Sequence, residues 1–399
     1  MSTTLRPVAN AALGLPPSAG CWPTAPQRLL LQAALLDGDA ARSAWAEWRH
    51  TTDLASADPA SRRIFPLLYH NLHRLGVEDP VVPALKENFA RTYFRNRLLF
   101  ARAADVLRAL HAADIPTMVL KGSALVPLYY RDHGLRPMDD VDVLVPAEHA
   151  RQAMAVLTRA GWTPAYAQPE RRIAITHSTS FADSLSRQLD LHWHVVGEGW
   201  HVARDERLWH ASVPLEIEGV ATRALGAAHQ LLHLCAHGVR WDDPSPIRWI
   251  ADAVMVIRSS ESAIDWAALA DESVVRHLTL PVRDGLAYLA EHLGAPVPPA
   301  TLGTLQAAPV SPLEQFNHEF QTREYWAPRV RDVVRALRYD YQRVASWVPL
   351  WHRPGVFVRR TQDRFQLKSA WQLPVVMSVA MVRRAVRAVV GSATQPSPP

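Results

Sequence analysis

Asp140-Val141-Asp142-Val143-Leu144-Val145, stopped by Pro146, is the stretch on which the fold turns. In a strand, successive side chains point to opposite faces. Val141, Val143 and Val145 therefore share a face suited to burial, and Asp140 and Asp142 share the other. Two like charges at neighbouring same-face positions repel. Such a pair needs either a compensating cation or exposure to water. Carboxylate oxygens are hard ligands, and Mg2+ is a natural compensating ion. Asp139 precedes the pair, but its same-face partner is Val141, so the alternation selects 140 and 142.

Upstream, Thr117-Met118-Val119-Leu120 is a short apolar run that reads as a buried strand. Lys121-Gly122 ends it, and a helix is expected over Ser123 to Tyr130. A glycine between strand and helix lets backbone approach a phosphate closely. The helix start offers free N–H groups, and Ser123 adds a hydroxyl. Arg131 to Pro137 reads as a loop. Downstream, Glu148 to Ala160 reads as a helix ended by Gly161. Arg172 to Ile175 and Ser180 to Phe181 are weaker strand candidates. Gln188 to Val196 is a clear one, in which Asp190, His192 and His194 share a face and Leu189, Leu191 and Trp193 bury the other. An acid in an otherwise apolar strand is uncommon unless it is paired or binds metal.

Helical periodicity surrounds this core. Pro26 to Leu36, Ala40 to Arg49, Ile64 to Leu75 and Val82 to Ala113 carry it on the N-terminal side. From 205 onward helices are expected again, most firmly Ala227 to Gly238 and Ile247 to Arg258. Pro296 to Pro312 reads as a linker, and Glu314 to Val348 as helical. The expected organisation is a loose leader (1–24), an N-terminal helical region (25–113), a small α/β core (114–197), a helical region packed on it (198–295), an additional helical region (296–352) and a basic tail (353–399).

The 399 residues are 48% hydrophobic and 20% charged, enough for a sizeable core and too apolar for global disorder. Cys21 and Cys235 cannot build a disulfide framework, which fits a reducing cytosol and a cytoplasmic protein. Met1 to Gly20 lacks the basic start and apolar run of a signal peptide. No run of 18 apolar residues is present, so no membrane-spanning helix is expected. From Arg353 to Gly391 the charge is +7, against +5 for the whole chain. The body therefore lacks the basic excess of a nucleic-acid binder, and only the tail suits an anionic partner such as a membrane surface. Lys121 is conspicuous, because Lys86 and Lys368 are its only fellow lysines.

The order strand, Gly122-Ser123, helix, loop, Asp140-x-Asp142, and a later strand with Asp190 resembles the nucleotidyltransferase superfamily with the DNA polymerase beta-like fold. Leu120-Lys121-Gly122, Tyr129, Gly134-Leu135-Arg136, the stretch 140–145 and Leu189-Asp190-Leu191-His192-Trp193 resemble, within it, the uncharacterised nucleotidyltransferase family. The helix His229-Gln230-Leu231-Leu232-His233-Leu234-Cys235-Ala236-His237 and the run from Arg248 to Asp252 are similar to that family too. The resemblance covers roughly residues 27–260. It implies an α+β fold, with a small mixed-sheet nucleotidyltransferase core flanked by N-terminal and C-terminal helical regions. It also implies transfer of a nucleoside monophosphate from an NTP, ATP by superfamily habit, to an acceptor hydroxyl with release of pyrophosphate.

By this resemblance Asp140, Asp142 and Asp190 are the catalytic residues and the ligands of Mg2+ or Mn2+. Lys121, Gly122, Ser123 and Arg136 bind the nucleotide phosphates. The acceptor is left open among a small molecule, a sugar and a protein. The competing readings are a catalytically silent nucleotide-binding module and a scaffold docked at a membrane surface through the tail.

His229, His233 and His237 recur every fourth residue and stack on one helical face. Helical histidines at that spacing can bind zinc, but no acid completes such a site. They read instead as structural or, with His192 and His194, as cleft lining. Arg248 and Asp252, also four apart, read as a structural pair.

Overall fold

The computed structural model describes residues 21–197, 202–241, 246–260 and 264–322, together with 338, 341, 348, 350–364 and 369–372. Most of the expected leader and tail, and most of the segment 314–348, lie outside the described residues. The N-terminal helices are α1 (Ala25–Leu35), α2 (Gly38–Thr51), α3 (Pro59–Arg62), α4 (Phe65–Arg74) and the long α5 (Val82–His111). Thr24 starts α1 with a reciprocal capping box to Gln27, and Pro26 stands in its first turn.

The core then runs β1 (Met118–Leu120), α6 (Lys121–Leu125) continued by a π-helical turn (Val126–Tyr130), β2 (Asp140–Leu144), α7 (Ala150–Arg159), β3 (Thr163–Pro164), β4 (Ser178–Ala182) and β5 (Gln188–His192). The remaining elements are α8 (Val202–His210), β6 (Val213–Ile217), β7 (Val220–Ala224), α9 (Ala227–Gly238), α10 (Arg248–Ser259), α11 (Trp266–Val275), α12 (Thr279–Leu293), α13 (Pro299–Ala307) and α14 (Pro312–Thr322). A further helix spans Arg353–Arg364, and Arg360 ties it to the body through the Ile175 carbonyl at 2.6 Å.

Among the described residues the strands form one seven-stranded mixed sheet, ordered β3-β4-β5-β2-β1-β7-β6. β2 lies at its centre, antiparallel to β1 and parallel to β5. The fold is α+β, as the motif order implies. The hairpin β6–β7 extends the sheet in a stretch whose sequence reads as helical. Its alternation lies in Val220, Thr222 and Ala224, and Thr222 bonds Thr117 beside β1 at 2.9 Å. Three further local expectations are corrected. Residues 169–174 form a 3-10 turn because Pro169 starts it; the strand from Gln188 stops at His192; and the Pro-rich stretch after 296 holds α13, whose prolines sit at its start where they are tolerated.

The sheet separates two hydrophobic layers. Val119, Val141, Val143, Leu189 and Leu191 bury one face against α5 and α7. Met118, Leu120 and Leu144 point into the other layer, built from α1, α4 and α9 to α12. Burying each valine or leucine fully contributes roughly 1.5–3 kcal/mol, so the alternation in β2 fixes which face its aspartates take. That face looks toward the helical layer. Among the described residues no helix is long and apolar enough to cross a membrane.

Candidate active site

β2 carries Asp140 and Asp142, and its parallel neighbour β5 places Asp190 directly opposite Asp142. On the other side, antiparallel β1 brings its last residue, Leu120, level with Asp142. The next residue, Lys121, reaches across, and its Nζ donates to Asp142 Oδ1 at 2.7 Å. His192, two residues beyond Asp190 and on the same face, sits 3.0 Å from the same oxygen through Nε2. Asp142 is buried, while Asp140 and Asp190 are partly open.

The electrostatics follow from this packing. Burial works to raise the Asp142 pKa, but the Lys121 ammonium and the His192 imidazole outweigh it and hold the carboxyl well below the usual range. Asp140 moves the other way, raised by burial and by the Asp142 charge beside it. Burial opposes the charge on Lys121, yet Asp142, Asp140 and Asp190 together raise its pKa. Lys121 is thus held as a cation among three acids.

Asp142, Asp190 and His192 each present a ligand atom within 4.8 Å of the others'. With Asp140 on the same face, the donor set is carboxylate-rich with one imidazole. It fits a hard divalent cation such as Mg2+ or Mn2+.

Gly122 and Ser123 follow Lys121 directly. Ser123 is 1% exposed, and its Oγ has no hydrogen-bond partner among the described residues. A buried hydroxyl without a partner is uncommon and suits an incoming acceptor oxygen. A Cβ on Gly122 would lie 2.4 Å from Arg136 Nη1 and 2.8 Å from Met138 Cγ. Glycine is therefore needed there for the first turn of α6 to pack on Arg136 and Met138.

Arg136 itself is buried against the helical layer. It grips Asp252 of α10 through Nε at 2.7 Å and Nη2 at 2.9 Å, and the Tyr130 hydroxyl donates to the same carboxylate at 2.7 Å. The spacing that suggested an Arg248–Asp252 pair is overridden, because the planar guanidinium of Arg136 binds a carboxylate with two bonds. Arg248 instead donates to the Pro137 carbonyl at 2.9 Å. Asp139 pairs with Arg63 and, at 2.8 Å, with Arg95.

The histidines divide into two groups. His192, His233 and His237 line a small cleft of about 140 Å3 beside Lys121. His194 and His229 do not line it. His194 bonds Asp205 at 2.6 Å, next to the fully buried Arg276, and His229 lies near Glu272 and Arg276. His177 and Arg240 also line the cleft. They lie in loops and carry no periodic or motif signal, so only the folded chain assembles them with the rest.

A family model described as uncharacterised nucleotidyltransferase matches residues 46–294. The chain belongs to that family. Membership supports nucleotidyl transfer as the general class of its chemistry. Two solved structures are similar in part. The antibiotic-resistance factor ANT(2'')-Ia matches at 15% identity, covering 49% of this chain and 97% of its own, with a TM-score of 0.32. An antigenic nucleotidyltransferase-like protein from Paracoccidioides brasiliensis matches at 13% identity, covering 53% and 94%, also with a TM-score of 0.32. No curated protein matches the chain.

Proposed function

We propose that this protein transfers a nucleoside monophosphate from an NTP, with ATP the expected donor, to an acceptor hydroxyl. The observation that carries the reading is the convergence of Asp142, Asp190 and His192 within 4.8 Å, with Asp140 on the same sheet face. Family membership supports the same class of reaction.

In this reading Asp140, Asp142 and Asp190 hold Mg2+ or Mn2+. Such an ion, when bound, supplies Lewis-acid charge at the phosphates and lowers the pKa of a nearby hydroxyl. The acceptor oxygen forms a bond to the α-phosphorus, the bond from that phosphorus to the bridging oxygen of the β-phosphate breaks, and pyrophosphate leaves. Asp190 takes the hydroxyl proton; it is the partly open carboxylate on β5, beside the buried Asp142. Lys121 and His192 fix the Asp142 carboxylate. Gly122 lets the start of α6 pack on Arg136, and Ser123 Oγ donates to a phosphate oxygen. Arg136 acts behind the loop as a positioning residue, its charge matched by Asp252.

The test is calorimetric binding of each NTP with Mg2+ and with EDTA, on wild type and on Asp140→Asn/Asp142→Asn. Mg2+-dependent binding of one NTP by wild type, lost in the double variant while its circular dichroism spectrum stays unchanged, is the expected result. No NTP binding under any metal would overturn the reading.

A further inference from the structure

The cleft beside the carboxylates has a chemistry of its own. Its charged or titratable lining side chains are Lys121, His177, His192, His233, His237 and Arg240, and none of the described lining residues is acidic. Lys121 at the start of α6 and His192 at the end of β5 line it together with His233 and His237, one turn apart on α9. Lys121 and Arg240 bring formal positive charge. Burial and the nearby Lys121 push the imidazoles of His233 and His237 toward the neutral form, in which a ring has one N–H, and the His237 ring already bonds its own backbone. His192 Nδ1 is buried with no partner among the described residues. Among the described lining residues cations and imidazoles gather with no acid, and although Lys121 and His192 also bond Asp142 behind the wall, this is the composition of an oxyanion site.

The cleft adjoins the reacting carboxylates, since Lys121 and His192 both line it and both bond Asp142. Gly122, Ser123 and Asp140 do not line it. We propose that this cleft binds a phosphate-class oxyanion carried by the acceptor, holding the acceptor so that its hydroxyl faces Asp190. The assignment rests on the nucleotidyl-transfer reading. It makes the acceptor a phosphorylated small molecule. The other source of the same chemistry is the donor's triphosphate.

Inorganic phosphate is the probe, titrated calorimetrically into the full chain alone and into the chain saturated with α,β-methylene-ATP and Mg2+. Phosphate is expected to bind in both cases. The variant His237→Gln/Arg240→Gln should weaken phosphate binding at least about tenfold, the scale of losing a hydrogen bond to a charged group. Its affinity for the nucleotide analogue should stay at the wild-type value. Arg240 is exposed, so Arg240→Gln alone serves if the double variant does not fold.

Phosphate that competes with the nucleotide analogue would assign the cleft to the triphosphate and overturn the proposal. So would wild-type phosphate affinity in the variants, or nucleotide binding with no phosphate binding at all. Failure of the wild type to bind any nucleotide overturns the transfer reading first, and the acceptor assignment with it.

Discussion

Lys121 sits at a φ of 45°, in the left-handed region that a residue with a Cβ enters at a cost of about 1–3 kcal/mol. The conformation turns the chain sharply out of β1 and points the ammonium back over the strand to Asp142. Local strain is thus coupled to charge compensation. Asp142 is 1% exposed, and a carboxylate that deep is tolerated only with partners. Lys121→Met removes one of the two partners of Asp142, His192 being the other, and is expected to destabilise the fold by up to about 3–5 kcal/mol, the upper scale of breaking a buried ion pair. Urea unfolding measures it. If a divalent ion shares the site, Mg2+ should raise the melting temperature of Lys121→Met more than that of wild type. Equal shifts would show that Lys121 and the metal do not compete for the same carboxylate.

Helix α9 carries its histidines in the interior rather than on a wet face. His233 is 3% exposed, and burial with the nearby Lys121 and His192 charges pushes its pKa down to about 3, from an ordinary value of 6.5. His237 is depressed in the same way, by burial and by Arg240 and Lys121. The sign of the consequence is fixed by linkage. Between about pH 6.5 and 3 the unfolded chain binds the His233 proton and the folded chain does not, so stability falls as pH drops through that window. Each such histidine contributes a slope of up to about 1.4 kcal/mol per pH unit. Denaturant midpoints measured from pH 7 to pH 4 should fall steadily in wild type and less steeply in His233→Gln. A parallel decline in the two proteins would mean that His233 is protonated in the folded state.

For the whole molecule, the joint between the sheet and the helical layer is the decisive feature. It is fastened by the Arg136–Asp252 pair, both side chains almost wholly buried, with Tyr130 on the same carboxylate. Trp249, the neighbour of Arg248 on α10, packs where Gly238 of α9 has no side chain, so α9 and α10 meet closely. Asp252→Ala removes the counter-charge of a buried guanidinium and is expected to cost about 3–5 kcal/mol. Because Arg136 also lies against Gly122, the same change should weaken nucleotide binding. Thermal unfolding followed by tryptophan fluorescence and by far-ultraviolet circular dichroism checks whether the two layers separate. Coincident transitions are expected in wild type, and divergent ones in Asp252→Ala.

Much of the core was legible at the level of single strands. The alternation of Asp140, Val141, Asp142 and Val143 determined which residues face the interior and which face each other, because a strand has a period of two. The same rule put Asp190 and His192 together. The period of four on α9 likewise set His233 and His237 on one face.

What the chain alone did not reveal lies in contacts between segments far apart in sequence. Arg136 reads as a loop cation, and only its meeting with Asp252, on α10, shows that its charge is already matched. Lys121 reads as a phosphate ligand, and only the register of β1 against β2 shows that it reaches Asp142. The hairpin β6–β7 is a short alternation between helices, and it becomes part of the sheet because β7 pairs with the edge of β1. The cleft is assembled from β5, the start of α6, α9, α14 and the loops at His177, Val195 and Arg240. Periodicity is a property of neighbours along the chain and is written in the sequence. Charge pairing and cavity shape depend on where distant segments come to rest, which only the folded packing decides.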